Sequence, residues 1–167
     1  MNILVAIDFS DGFETILSEA KKWSHFTHAK LWLIHVSEPQ TNVVGFCPDV
    51  GFMGEGMAVD VFSANSQAQQ NTRDTAARQL REKRHQLQEL AKKLQSNDET
   101  VIPLLLEGPV SKTILKEASK HEVSMIIVGS HGHNAVHQLL MGSVSEAILR
   151  KSPVPVLVVP THHEEKR

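Results

Sequence analysis

The residue types best suited to binding chemistry lie in one stretch, Val128-Gly-Ser-His-Gly-His-Asn-Ala-Val-His-Gln-Leu-Leu-Met-Gly-Ser143. It follows a short apolar run, and its closing Gly-Ser opens a segment of helical character. Gly129 and Gly132 permit a tight turn and let a ligand come close to backbone N–H groups. Gly142, Ser143, Val144 and Ser145 set backbone amides and two hydroxyls at a helix N-terminus, where phosphate is favoured. A glycine-rich connection with ordinary helix caps has the same pattern, and spacing alone leaves both readings open. Two familiar nucleotide loops are excluded. No Gly-Lys-Ser or Gly-Lys-Thr is present, and no Gly-x-Gly-x-x-Gly follows the first strand.

Asp8 stands where the first apolar run stops. A carboxylate there can orient a nucleotide hydroxyl, or reach a phosphate-bound Mg2+ directly or through water. It can equally close an Asx turn or cap a helix. His35-Val36-Ser37 ends the second run, where the backbone of Val36 can read an adenine edge or the residue can simply pack. His131 and His133 lie on the glycine loop, where contact with phosphate or metal competes with plain solvent exposure. His162-His163 reads as tail. Cys47 has no basic partner or second thiol nearby in sequence, so it reads as structural or incidental. Trp23 and Trp32 read as core or interface.

The elements that must position these residues follow from hydrophobic period. Short apolar runs bounded by turn residues predict strands at 2–7, 31–36, 100–106, 123–128 and 154–159. Pro103 inside the third run cannot donate to a ladder, which points to an edge strand. Helical patterns lie between the runs. Ile16, Ala20 and Trp23 share a face after a cap at Ser10 or Asp11; residues 71–96 carry Ala77, Leu80, Leu87, Ala91 and Leu94; a third helix carries Ile114, Leu115 and Ala118; a fourth covers 143–149. Asn97-Asp98 punctuates, and a short helical turn is expected at 136–140. Residues 40–70, dense in glycine with interspersed Phe46, Phe52, Met53 and Phe62, read as an ordered excursion, a lid or an oligomer contact. Strand–helix alternation implies a parallel α/β sheet covered on both faces, in one domain over 1–160 with a polar tail at 161–167.

Composition narrows the classes. The 167 residues are 41% hydrophobic and 22% charged with a formal net charge of −2, an ordinary soluble balance and not a nucleic-acid-gripping one. One cysteine excludes an intrachain disulfide and a multi-cysteine zinc site, and fits a reducing cytoplasm. The apolar runs are too short to span a bilayer, and the first residues do not follow a signal-peptide pattern.

Taken in order, these pieces resemble the universal stress proteins of the UspA superfamily. Gly129, Gly132, Gly142 and Ser143 match the spacing of the nucleotide-binding branch: Gly, two residues, Gly, nine residues, Gly, then Ser or Thr. The opening Ile3–Ser10, the turn at Leu105–Pro109, and Gly142–Glu146 followed by Ser152–Val159 resemble the corresponding family segments. The resemblance implies an open, Rossmann-like five-stranded parallel sheet of order 3-2-1-4-5, usually dimeric. It implies ATP or AMP as ligand, with Mg2+ accompanying ATP. Asp8 would lie near ribose and the metal-phosphate region, and Val36 would contact adenine through its backbone. Gly129, Ser130, Gly132, His133, Gly142, Ser143, Val144 and Ser145 would lie along ribose and phosphates. His133 stands where arginine is common and Asn134 where glycine is common; the first change lowers positive charge near the phosphates. No catalytic residue is assigned.

Three functional readings are weighed. The first is a small cytoplasmic nucleotide-binding regulatory module, with an unidentified regulatory protein as a further partner. The second is a weak Mg-dependent ATPase, for which the loop supplies no lysine or arginine. The third is a nucleotide-free dimeric interaction protein. The last strand, at an edge in the 3-2-1-4-5 order, is the expected seam of a homodimer, with higher assembly through residues 40–70.

Overall fold

Five apolar runs become five strands: β1 (Asn2–Ala6), β2 (Lys30–Ser37), β3 (Val101–Glu107), β4 (Met125–Gly129) and β5 (Val156–Val159). Among the described residues four helices separate them: α1 (Phe13–Thr27), α2 (Ala58–Leu94), α3 (Val110–Lys120) and α4 (Ser143–Lys151). The computed structural model describes residues 1–10, 12–38, 58–95, 100–130 and 141–161, with backbone alone over 58–73. The chain divides into two units, residues 1–39 with 86–167, and residues 40–85.

In the first unit the strands form one parallel sheet in the order β3-β2-β1-β4-β5, as expected. Successive side chains of a strand point to opposite faces, so a strand covered on both sides is apolar throughout. On one face Ile3, Val5, Leu31, Leu33 and Ile127 pack with Ile16, Leu17 and Ala20 of α1 and with Leu87, Ala91 and Leu94 of α2. On the other, Leu4, Ile34, Val36, Ile126 and Val128 pack with Ile114 and Ala118 of α3 and Ile148 of α4. Pro103 lies on β3, opposite Leu33, and β3 is an edge strand.

Several local expectations are corrected. α1 is entered through Gly12 in a left-handed conformation, and the Ser10 hydroxyl donates to Asp8 and does not cap the helix. The buried face of α1 ends on Ser24 and not on Trp23, which is 37% exposed. Ser24 is buried without penalty because its hydroxyl donates to the Ala29 carbonyl at 2.9 Å. α2 begins at Ala58, ahead of the expected Asn71. Ala77 is exposed, and among the described side chains of this helix the buried ones are Leu87, Ala91 and Leu94. The described part of the second unit is the amino-terminal portion of α2, whose side chains from Asp74 to His85 are mostly exposed.

The last turn of α3 is tied to the amino ends of the strands by a polar cluster. The His121 ring stacks on Trp32 at 3.7 Å between centroids, and Asn2 Nδ2 donates to the His121 carbonyl at 2.8 Å. The Glu117 carboxylate, buried, lies 2.9 Å from Lys120 Nζ and 3.1 Å from His121 Nε2. Burial acts to raise its pKa, but the hydrogen bonds and charges of Lys120 and then His121 outweigh that, leaving the pKa below the ordinary 4.5.

Candidate functional site

In a parallel sheet whose strand order reverses, the carboxyl margin at the reversal is the natural place for a ligand. Here the reversal falls between β1 and β4, hydrogen-bonded neighbours with Val5 opposite Ile127. Asp8, just beyond β1, and Gly129-Ser130, ending β4, therefore leave the sheet at the same margin. The β1–β2 ladder continues one step further, the Ile7 N–H donating to the Ile34 carbonyl at 3.0 Å. Asp8 then closes an Asx turn: Oδ1 accepts the Ser10 N–H at 3.0 Å and also the Ser10 hydroxyl. The turn expected as one alternative for Asp8 is thus present, and it gives the carboxylate a defined orientation.

The end of β4 is bound to the start of α4 and the end of β5. Ser145, 8% exposed, donates its hydroxyl to the Gly129 carbonyl at 2.7 Å. The Gly142 N–H donates to the Ser130 carbonyl at 2.8 Å, and the Ser130 N–H donates to the Val159 carbonyl at 2.7 Å. The Thr161 N–H donates to Ser130 Oγ at 3.2 Å. Gly142, which has no side chain to cap with, is the N-cap of α4. The first-turn amides at Ser143, Val144 and Ser145 are the donors that a helix leaves outside its own ladder, and with the helix dipole they favour an anion. Ser143 is exposed, Val144 half-buried and Ser145 buried, so the hydroxyl of Ser145 serves the scaffold while that of Ser143 faces outward.

Val36 is buried near the end of β2, its side chain in the apolar cluster with Ile34 and Val128. The Gly108 N–H donates to the Ser37 carbonyl at 3.0 Å, holding the β2 and β3 ends together. Gly132 and His133 lie outside the described residues, as do Asp11, Phe46, Cys47, Phe52, Met53, Asn97, Asp98, His131, Asn134, the turn at 136–140 and His162-His163. The side chain of Phe62 lies outside them too. Among the described residues no group of three or more His, Cys, Asp or Glu side chains converges as a metal site. Among them, too, no helix is long and apolar enough to cross a membrane.

Sequence reasoning missed the supports of this margin: Phe9, Gly12, His35 and Thr161. His35 sits in an apolar run, where a lone histidine reads as core. Phe9 adopts a left-handed φ of 58°, which residue type does not announce. Gly12 followed by a helical pattern was the one legible hint, since a left-handed entry favours glycine.

Residues 57–160 match the model of the universal stress protein family. The universal stress protein A homolog 2 of Coxiella burnetii is 31% identical over 159 residues, covering 94% of this chain and 92% of that protein. A universal stress protein of Methanocaldococcus jannaschii is 26% identical over 164 residues, covering 94% and 93%. The solved structure of that protein superposes with a TM-score of 0.70 at 24% identity, covering 98% and 97%. The structure of a universal stress protein from Archaeoglobus fulgidus in complex with dAMP is similar in fold, with a TM-score of 0.55 at 17% identity, covering 95% and 97%.

Proposed function

This chain belongs to the universal stress protein family, and on that premise we propose that it is a nucleotide-binding regulatory module that takes ATP or AMP. One observation carries the reading. The N-terminus of α4, led by Gly142, is fastened, through the Gly142–Ser130 and Ser145–Gly129 hydrogen bonds, to the end of β4 at the strand-order reversal. A set of amide donors held at that place is complementary to phosphate. The relative from Archaeoglobus fulgidus, in complex with dAMP, agrees in ligand class.

In this reading Gly129, Ser130, Gly132, His133, Gly142, Ser143, Val144 and Ser145 surround ribose and phosphates, and the Val36 backbone meets the adenine edge. Asp8 is the one metal-directed residue. Mg2+ is commonly held by one or two carboxylates, with phosphate oxygens and waters completing its shell, so a single oriented carboxylate beside a phosphate site suits it. Mg2+ would offset triphosphate charge, and Asp8 would orient it.

We further propose that the module works as a cytoplasmic homodimer paired through β5. Val156, Leu157 and Val158 are half-buried on an edge strand, flanked by Pro155 and Pro160. An apolar edge of this kind is satisfied by antiparallel pairing across a two-fold axis.

Isothermal titration of nucleotide-free protein with Mg-ATP and with AMP tests the ligand. Saturable heat with either is expected, and none at millimolar ligand would sink the reading.

A further inference from the structure

His35 is a buried titratable side chain that the nucleotide reading leaves unused. The residue is 4% exposed, and its Nδ1 lies 2.8 Å from the Ile7 carbonyl oxygen. A carbonyl only accepts, so Nδ1 carries the hydrogen and donates it. Ile7 directly precedes Asp8. The same imidazole meets Phe9, which directly follows Asp8: the ring centroids are 4.8 Å apart, with planes tilted by 55°. Phe9 has a left-handed φ of 58°, a conformation that a bulky residue keeps only where its surroundings hold it. Phe13 supports Phe9 from another side, edge-on at 6.0 Å. One imidazole thus grips both neighbours of Asp8, and the Asp8 carboxylate is in turn oriented by Ser10. A histidine serving only as core filler would be satisfied by any acceptor. This one engages the carbonyl next to the acid.

We propose that His35 is a positioning residue for the Asp8 turn, and that Mg-dependent nucleotide affinity passes through its bond to Ile7 and its contact with Phe9. The binding consequence rests on the nucleotide reading above; the effect on the turn can be measured without ligand.

Two variants make the test. His35→Leu removes the donor while keeping similar bulk, and His35→Asn keeps a side-chain N–H near the Nδ1 position. Amide exchange followed by NMR in nucleotide-free protein reports the Ser10 N–H that bonds to Asp8. We expect about tenfold loss of Ser10 protection in His35→Leu, recovered to within about threefold of wild type in His35→Asn. In titrations, His35→Leu should weaken Mg-ATP about tenfold and AMP less than about twofold, with no further loss when combined with Asp8→Ala. Should His35→Leu fail to fold, His35→Gln, which moves the donor outward by one bond, replaces it with the same expectations. Unchanged Ser10 protection in the folded variant overturns the proposal whether or not nucleotide binds. Equal loss of both nucleotides, or additivity with Asp8→Ala, overturns the link to Asp8. A wild-type protein that binds neither nucleotide defeats the nucleotide reading, and Ser10 exchange still decides for or against the turn.

Discussion

Gly12→Ala probes how closely the entrance to α1 is built against the exit from β5. Gly12 has φ 92° and ψ −1°, and a Cβ added there would fall 2.5 Å from the Thr161 carbonyl oxygen and 3.0 Å from the Thr161 Cβ. The nearest atom is backbone, so no rotamer change relieves the clash. Holding a non-glycine residue in a left-handed conformation costs about 1–2 kcal/mol. Forcing an extra carbon into a packed site costs about 1–3 kcal/mol more, for a central total of about 3.5 kcal/mol. In a chain of this length each kcal/mol lowers Tm by about 2–4 °C, so Tm should fall by about 7–14 °C. Calorimetry against wild type is the assay. Ser18→Ala, at an exposed position on the same helix, is the control and should stay within about 0.5 kcal/mol. The displacement also has a route to the site. The Thr161 N–H donates to Ser130 Oγ, and the Ser130 carbonyl accepts the Gly142 N–H. A folded Gly12→Ala protein should therefore bind nucleotide more weakly as well. A Tm drop of less than about 2 °C would refute the steric reasoning.

Gly142→Val should abolish or greatly weaken nucleotide binding while leaving the fold intact, because φ −60° and ψ 143° suit any residue and a branched side chain there would crowd a phosphate on the helix-start amides; wild-type affinity by titration would reject this placement of the phosphates. Asp8→Ala should weaken Mg-ATP more than AMP, since its carboxylate favours a bound cation but repels bare phosphate; competitive titration with and without Mg2+ separates the two effects. The Glu117 pKa is lowered on folding, so its stabilising contribution is fully present above the ordinary carboxylate value and is lost as pH falls through the folded value. Denaturant unfolding should accordingly show the advantage of wild type over Glu117→Gln shrinking as pH falls below the ordinary carboxylate value, and a pH-independent difference would contradict the assignment. Sedimentation velocity should show a dimer of the wild-type protein, and a strictly monomeric chain at high micromolar concentration would defeat the β5 seam.

Much of the scaffold was legible because its strands are buried on both faces and read as continuous apolar runs. All five strands lie close to their expected places, and Pro103 marked an edge. The amino-terminal part of α2 was not legible. From Ala58 to Gln70 the chain is largely small and polar, without an apolar stripe at helical spacing, so only its glycine-poor character hinted at a helix. Trp23 and Ser24 exchanged roles because periodicity ranks residues by hydrophobicity, whereas a hydroxyl with its own backbone acceptor can occupy the core. Of the candidate site, the Gly142–Ser145 helix start was visible from composition. The brace supplied by Ser130, Thr161 and His35 was not, since its members lie far apart in sequence and meet only when strands β1, β2, β4 and β5 come into register.

Growth of a sheet from molecule to molecule is a step polymerisation, and it continues only if every unit carries two reactive ends. One end here is β3, which holds Pro103 in its middle and so lacks an N–H there. The other is β5, four residues long between Pro155 and Pro160. A molecule with one competent end is monofunctional. When two copies join through β5 that end is consumed, and each outer margin of the pair is a proline-interrupted β3. In the β5-paired dimer proposed above, the residue that looks like a flaw in the third strand would therefore act as a chain terminator, limiting edge-to-edge growth to two copies.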